Sequence, residues 1–181
     1  RDAFGMSNTG VLTLVGVTAL GALAMQMPIA IASDRGNRVA ITLAGASAWA
    51  AFSVMTGAAT AIWMLVVARV GTGIGRAVVD PTHNALLSDW YTVDRRPAVF
   101  SFHRAANVLG NFAGPLLAGG LAAAFSWRVP FFVFAVPTVV LVLLGLRMRD
   151  PVRGGQDRRA AGAREHVAET AEAPPSFAEA W

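Results

Sequence analysis

Residues 65–90, LVVARVGTGIGRAVVDPTHNALLSDW, restrict the fold more than any other part of the chain. The run is apolar, glycine-laced and long enough to cross a bilayer, yet it carries Arg69, Arg76 and Asp80. An α-helix repeats every 3.6 residues, so positions 69, 73, 76 and 80 fall on one face, with Gly73 between the two arginines. Charged side chains inside a hydrophobic span are costly and persist where they face a bundle interior or a watery pathway. The run is therefore predicted to form the functional wall of an α-helical membrane bundle around which the remaining spans pack.

The rest of the chain agrees with a membrane setting. Hydrophobic residues make up 55% of the 181 and charged residues only 14%, with a mean hydropathy of +0.51. A soluble domain carries about 25% charged residues. The net charge of +4 is not a nucleic-acid signature, because no basic patch interleaves with exposed aromatics on a soluble domain. No cysteine is present, which excludes disulfides and thiolate chemistry. His83, His103 and His166 lack zinc spacing, and no cofactor or metal is expected.

Five spans are predicted within a membrane domain over residues 1–150, at about 9–32, 39–56, 61–87, 97–125 and 129–146, each near the ~20 residues that a membrane helix needs. Arg35, Arg38, Arg95, Arg96, Arg147, Arg149, Arg153, Arg158, Arg159 and Arg164 fall on one side of these spans. The other side receives Arg1 and Arg128, while Arg69, Arg76 and Arg104 lie within spans. The positive-inside rule makes the arginine-rich side cytoplasmic, with the amino terminus of the chain external and the carboxyl terminus cytoplasmic. Residues 151–175 are polar and mixed in charge and are expected to be a cytoplasmic linker. Ser176-Phe177-Ala178-Glu179 has the form of a helix capping box, so residues 176–181 are expected to start a further helix. With no initiator methionine at Arg1, the sequence is expected to be a fragment of a longer membrane protein.

Several local patterns, taken in order, resemble one family. Asp34-Arg35-Gly36-Asn37-Arg38 resembles the Asp-Arg-x-Gly-Arg loop between the second and third helices of the major facilitator superfamily. Arg69-x-x-x-Gly73-x-Gly75 is similar to the arginine motif of its fourth helix. Gly110-x-x-x-Gly114-Pro115, followed by Ala118-Gly119-Gly120, resembles the glycine-proline motif of its fifth. Asp150-Pro151-x-Arg153-Gly154 is similar to the segment closing the sixth helix in spinster-like members.

This resemblance, over about residues 1–155, implies an all-α integral membrane fold. The chain would be an incomplete amino-terminal half holding helices two to six of a transporter, with the carboxyl-terminal half missing. It further implies solute transport by alternating access, with Asp34, Arg35 and Arg38 forming a conformational latch loop. The chain departs from the family at Asn37, where the loop usually has glycine; asparagine tolerates a left-handed backbone. It departs again at Arg76, which stands where proton-coupled relatives carry an acid.

Arg69, Arg76, Asp80, His103 and Arg104 are the candidates for the transport path or coupling. Counting from the span ends at ~1.5 Å per residue puts Arg76, His103 and Arg104 about 10 Å from the arginine-rich face. Asp80, four residues from Arg76, can reach it along the helix and is expected to exchange between Arg76 and Arg104. Gly73, Gly75, Gly110, Gly114 and Gly119 are read as close helix-packing positions and Pro115 as a kink or break. The implied partners are the lipid bilayer of a cell membrane, the bacterial inner one by composition, and a small solute. Intramembrane arginines tilt that solute toward an anionic or amphipathic one; no nucleic-acid partner is expected. An alternative from another class is a membrane anchor or permease module serving a separate soluble domain. No catalytic constellation sits at compatible depths, so enzymatic function is not expected.

Overall fold

The computed structural model describes residues 4–170, apart from the side chain of Asp80. The capping-box residues 176–181 lie outside the described part. Helices dominate, and no strand occurs among the described residues. The long ones are α1 (Asn8–Arg35), α2 (Arg38–Ala58), α3 (Ile62–Ala77), α4 (Val79–Trp90), α5 (Arg96–Ala124) and α6 (Val129–Gly145). Two short ones follow, α7 (Gly155–Ala160) and α8 (Glu165–Ala168). Among the described residues, three helical stretches are long and apolar enough to cross a membrane: α1, α2 and the 62–90 unit formed by α3 and α4.

Local chemistry accounts for the boundaries. Ser7 caps α1 by accepting a hydrogen bond from the Gly10 N–H at 3.1 Å. Asn37, at φ −77°, is not left-handed; its Oδ1 accepts from the Ala40 N–H at 2.7 Å and caps α2. The residue that departs from the family loop thus satisfies one of the amide groups a helix start leaves unpaired. The break at Val78 lies just ahead of Pro81, whose ring lacks the N–H that would bond to the Ala77 carbonyl and crowds the preceding turn. Pro97 sits in the first turn of α5, where a missing N–H costs nothing. Pro115, in contrast, lies within α5, and the helix runs unbroken through it.

α3 is the axis of the bundle. It packs along α1 on one side and α2 on the other, and α2 in turn packs on α6. Glycines set these distances. A Cβ on Gly21 would lie 2.8 Å from the Val70 carbonyl oxygen, and one on Gly73 would run into the Thr18 carbonyl oxygen. Gly75 meets Gly45 in the same way, a Cβ there lying 2.8 Å from the Gly45 carbonyl oxygen. Membrane helices associate through close backbone approach of this kind. α5 differs: it meets α4 and α6 only loosely, buries none of its residues, and leaves Gly110, Gly114 and Gly119 facing open space.

With α3 and α4 taken as one unit, the long helices alternate in direction. The α1–α2 and α4–α5 connections and the segment after α6 therefore meet at one end of the bundle. At the other end Arg128, ahead of α6, donates from Nη1 to the Gly57 and Ala59 carbonyls at 2.8 and 2.5 Å and stacks 4.5 Å over the Trp127 ring.

Candidate functional site

The arginine-rich end is built around Arg38, the first residue of α2. Its backbone N–H, one of the unpaired amides of a helix start, donates to Asp150 Oδ2 at 2.7 Å. Its side chain reaches three acceptors: Nε to Asp150 Oδ1 at 3.1 Å, Nη1 to Asp89 Oδ2 at 2.5 Å and Nη2 to the Pro151 carbonyl at 2.8 Å. The side chains of Arg38 and Asp89 are 5% and 8% exposed and that of Asp150 18%. Gly154 N–H completes the Asp89 carboxylate, donating to Oδ1 at 2.9 Å. Arg153 then reaches back over the α1 end, donating from Nη2 to the Ser33 and Gly36 carbonyls at 2.9 and 2.6 Å. One cluster therefore ties together the α1–α2 connection, the end of α4 and the segment after α6. A buried ion pair holds only where its remaining donors and acceptors are also satisfied, as they are here.

A second tie lies alongside. Arg96, opening α5, donates from Nη1 to Asp157 Oδ1 of α7 at 2.6 Å and from Nε to the Ser88 carbonyl at 3.1 Å. The stretch expected as a linker thus carries two short helices and contacts both connections at this end. Around it, exposed carboxyls sit below their ordinary values: Asp94 through a hydrogen bond from the Thr92 side chain, and Glu165 through one from Arg159. Gly154 matters for its backbone as well as its N–H, because its φ of +64° lies in the left-handed region that a Cβ disfavours. Gly154→Ala is expected to lower stability by about 1–2 kcal/mol, read as a shift in thermal unfolding.

Beyond this cluster, a cleft of about 480 Å³ opens between α2, α3, α4, α5 and α6. Thr42, Trp49, Arg76, His83, Asn107, Asn111 and Thr138 contribute to its walls. A narrower, largely apolar crevice adjoins it between α2, α4 and α5, where the His83 and His103 rings meet edge to face with centroids 5.7 Å apart.

The predicted site residues separate into distinct places. Of the latch loop, Arg38 is buried in the cluster, whereas Asp34 and Arg35 are exposed. Arg76 lines the cleft, but Arg69, two turns earlier, leaves it and stacks 5.5 Å from the Phe131 ring centroid. His103 joins His83, and Arg104 is exposed on α5. The side chain of Asp80, and with it the predicted exchange of partners, lies outside the described residues. Gly73 and Gly75 are close-packed, while Gly110, Gly114 and Gly119 are open. Among the described residues no group of three or more His, Cys, Asp or Glu side chains could hold a metal ion. Sequence reasoning missed Asp89 as the partner of Arg38, and it missed Asn107 and Asn111. The two asparagines, i and i+4 in an apolar helix, were a legible polar stripe.

A helical bundle of membrane-length segments, held by backbone-close glycines and tied at one end by a buried charge cluster, defines a multi-pass membrane protein. The Major Facilitator Superfamily sequence model matches residues 1–181, and the chain belongs to that family. The chain is 28% identical over 144 residues to the "Probable L-galactonate transporter" of Escherichia coli, a match spanning 79% of this chain and 32% of that protein. It is 30% identical over 122 residues to an MFS-type efflux pump of Mycolicibacterium smegmatis, a match covering 67% and 28% of the two chains. Among solved structures it is similar to a bacterial homolog of the human lysosomal transporter Spinster in an inward-facing, occupied conformation. That match has a TM-score of 0.62 at 28% identity and covers 82% of this chain and 38% of the other. The chain thus spans about a third of the length of the proteins it matches.

Proposed function

We propose that the chain is the amino-terminal half, less its first helix, of a transporter that moves a small solute by alternating access, secondary active or facilitative. In this reading the arginine-rich end faces the cytoplasm and a carboxyl-terminal half completes the protein. The observation that carries it is the buried Arg38–Asp89–Asp150 cluster at that end. It ties the α1–α2 connection, the end of α4 and the segment after α6 to one another, and such ties support a half that rocks as a unit. Asp34 is exposed beside this cluster and has no ion pair among the described residues, and in this reading it latches the other half in one state of the cycle. The matched relatives include a sugar-acid transporter and an efflux pump, so their names leave the solute open; the intramembrane arginines favour an anionic or amphipathic one.

The test is flux in proteoliposomes. The full-length transporter should exchange solute across the membrane, whereas residues 1–181 alone should insert and carry none. Asp34→Asn in the full-length protein should impair flux with membrane insertion largely intact. Flux from residues 1–181 alone, or unchanged kinetics in the Asp34 variant, would count against the reading.

A further inference from the structure

We propose that a groove along the outer side of α2 and α6 binds an anionic phospholipid, with one acyl chain in the groove and the phosphate held by Arg147, Arg149 and the Asn37 amide. The inference goes beyond transport, because its ligand is a bilayer lipid and it does not depend on the solute.

The groove belongs to one helix pair. Thr42, Ala46 and Trp49 of α2 face the cleft, whereas Ala44, Ser47 and Ala51 line the groove. The 3.6-residue repeat puts these two sets on opposite faces of the helix. The groove therefore lies across the α2–α6 pair from the cleft and from the loosely packed α5. It consists of two hollows of about 410 and 440 Å³, joined at Ser47 and Val142, which line both. The pair is tied at both ends of this groove. At one end a Cβ on Gly145 would run into Leu43, so α6 already touches α2 there. Toward the other, the Ser53 hydroxyl donates to the Phe131 carbonyl at 3.1 Å and Arg128 to the Gly57 carbonyl at 2.8 Å.

Length and lining suit an acyl chain. The groove runs from Asn37 to Val54, about 25 Å at ~1.5 Å per residue. One leaflet contributes about half of a ~30 Å hydrocarbon core, so a chain from that leaflet fits along its whole length. Val142, Leu143 and Leu146 form the α6 wall, and the alanines opposite are too short to fill the space themselves.

The charge sits at the mouth. Leu146 and Met148 line that end, and Arg147 and Arg149, next to them in the chain, are exposed. Their guanidinium groups make no hydrogen bond or ion pair with another described residue, whereas those of Arg38 and Arg153 are bonded to protein acceptors. Asn37 also lines the mouth; its Oδ1 accepts from the Ala40 N–H, which leaves its amide hydrogens as donors. Two unpaired cations and an amide donor beside an apolar groove match a phosphate that carries acyl chains. A second copy of this chain matches less well. Copies share one orientation in a membrane, so a two-fold contact through the groove would bring both sets of arginines to the same depth, where like charges repel.

The experiment uses the full-length transporter containing residues 1–181, purified in detergent, with dioleoylphosphatidylglycerol as the probe. Dioleoylphosphatidylcholine supplies the chains without net charge, and glycerol 3-phosphate supplies the phosphate without chains. Native mass spectrometry should show phosphatidylglycerol held about tenfold or more tighter than phosphatidylcholine, with glycerol 3-phosphate displacing neither. A phosphatidylglycerol with a photoreactive diazirine in its acyl chain should label groove peptides of α2 and α6 above all other spans. Arg147→Gln combined with Arg149→Gln should cut the preference to about twofold or less and leave phosphatidylcholine retention unchanged. Ala44→Phe fills the groove and should abolish the labelling there with both arginines intact; the double arginine variant carries the test if Ala44→Phe fails to fold. Equal retention of the two lipids, or displacement by glycerol 3-phosphate, overturns the proposal. Labelling spread evenly over the spans overturns it as well, since that marks ordinary bilayer contact. Unlabelled groove peptides would mean that another part of the chain covers them, and a dimer that Ala44→Phe splits would assign the groove to a second copy; either result also overturns it.

Discussion

Replacing Arg38 with methionine will destabilise the folded transporter by roughly 3–5 kcal/mol, because the Asp89 carboxylate is left buried without its cation. Methionine keeps much of the apolar stem and leaves the backbone N–H of residue 38 bonded to Asp150, so the loss reports the side-chain charge. The cluster joins parts of the chain 51 and 112 residues apart, and its loss should also free the segment after α6 from the end of α4. Flux should fall together with stability. Adding Asp89→Asn to Arg38→Met removes the orphaned charge, and the double variant should recover a large part of the lost stability without recovering flux. Thermal unfolding of the purified protein reads the first effect and counterflow the second. Equal stability of the single and double variants would show that Arg38 and Asp89 do not depend on each other.

That cluster also marks where sequence reading reaches its limit. Long apolar runs and polar gaps are local properties, so the helices and their alternation were legible from composition along the chain. Arg38 was legible as part of a loop motif. Its partners were not: Asp89 read as one more charge in a solvated gap, and its burial depends on the chain after α6 folding back, which no local period encodes. Asn37 shows a related miss. Its tolerance for left-handed backbone was the property in view, whereas its side-chain acceptor, which caps α2, decides the local structure. The arginine face of the 65–90 run separated for a packing reason: Gly73 turned against α1, Arg69 found an aromatic ring, and Arg76 reached the cleft.

Glycine itself was legible only as permission for close approach, and α3 holds two glycines whose neighbours differ in kind. A Cβ on Gly73 meets the Thr18 carbonyl oxygen, a backbone atom fixed within α1, whereas a Cβ on Gly71 meets the ring of Phe52, a side chain of α2. Alanine improves helix propensity by about 1 kcal/mol at either site, but overpacking against a neighbouring backbone costs about 1–3 kcal/mol or more. Gly73→Ala should therefore lose roughly 2 kcal/mol net and push α1 away from α3. Shortening Thr18 to alanine should not restore it, because the obstacle is the carbonyl and not the hydroxyl or methyl. Gly71→Ala should also be destabilising on its own, yet Phe52→Leu in the same chain should relieve much of that loss, since removing the ring clears the space. Thermal unfolding of the four variants in the full-length transporter decides the matter. Rescue of Gly73→Ala by the Thr18 change, or none of Gly71→Ala by the Phe52 change, would mean that α3 is not held against backbone on one side and side chain on the other.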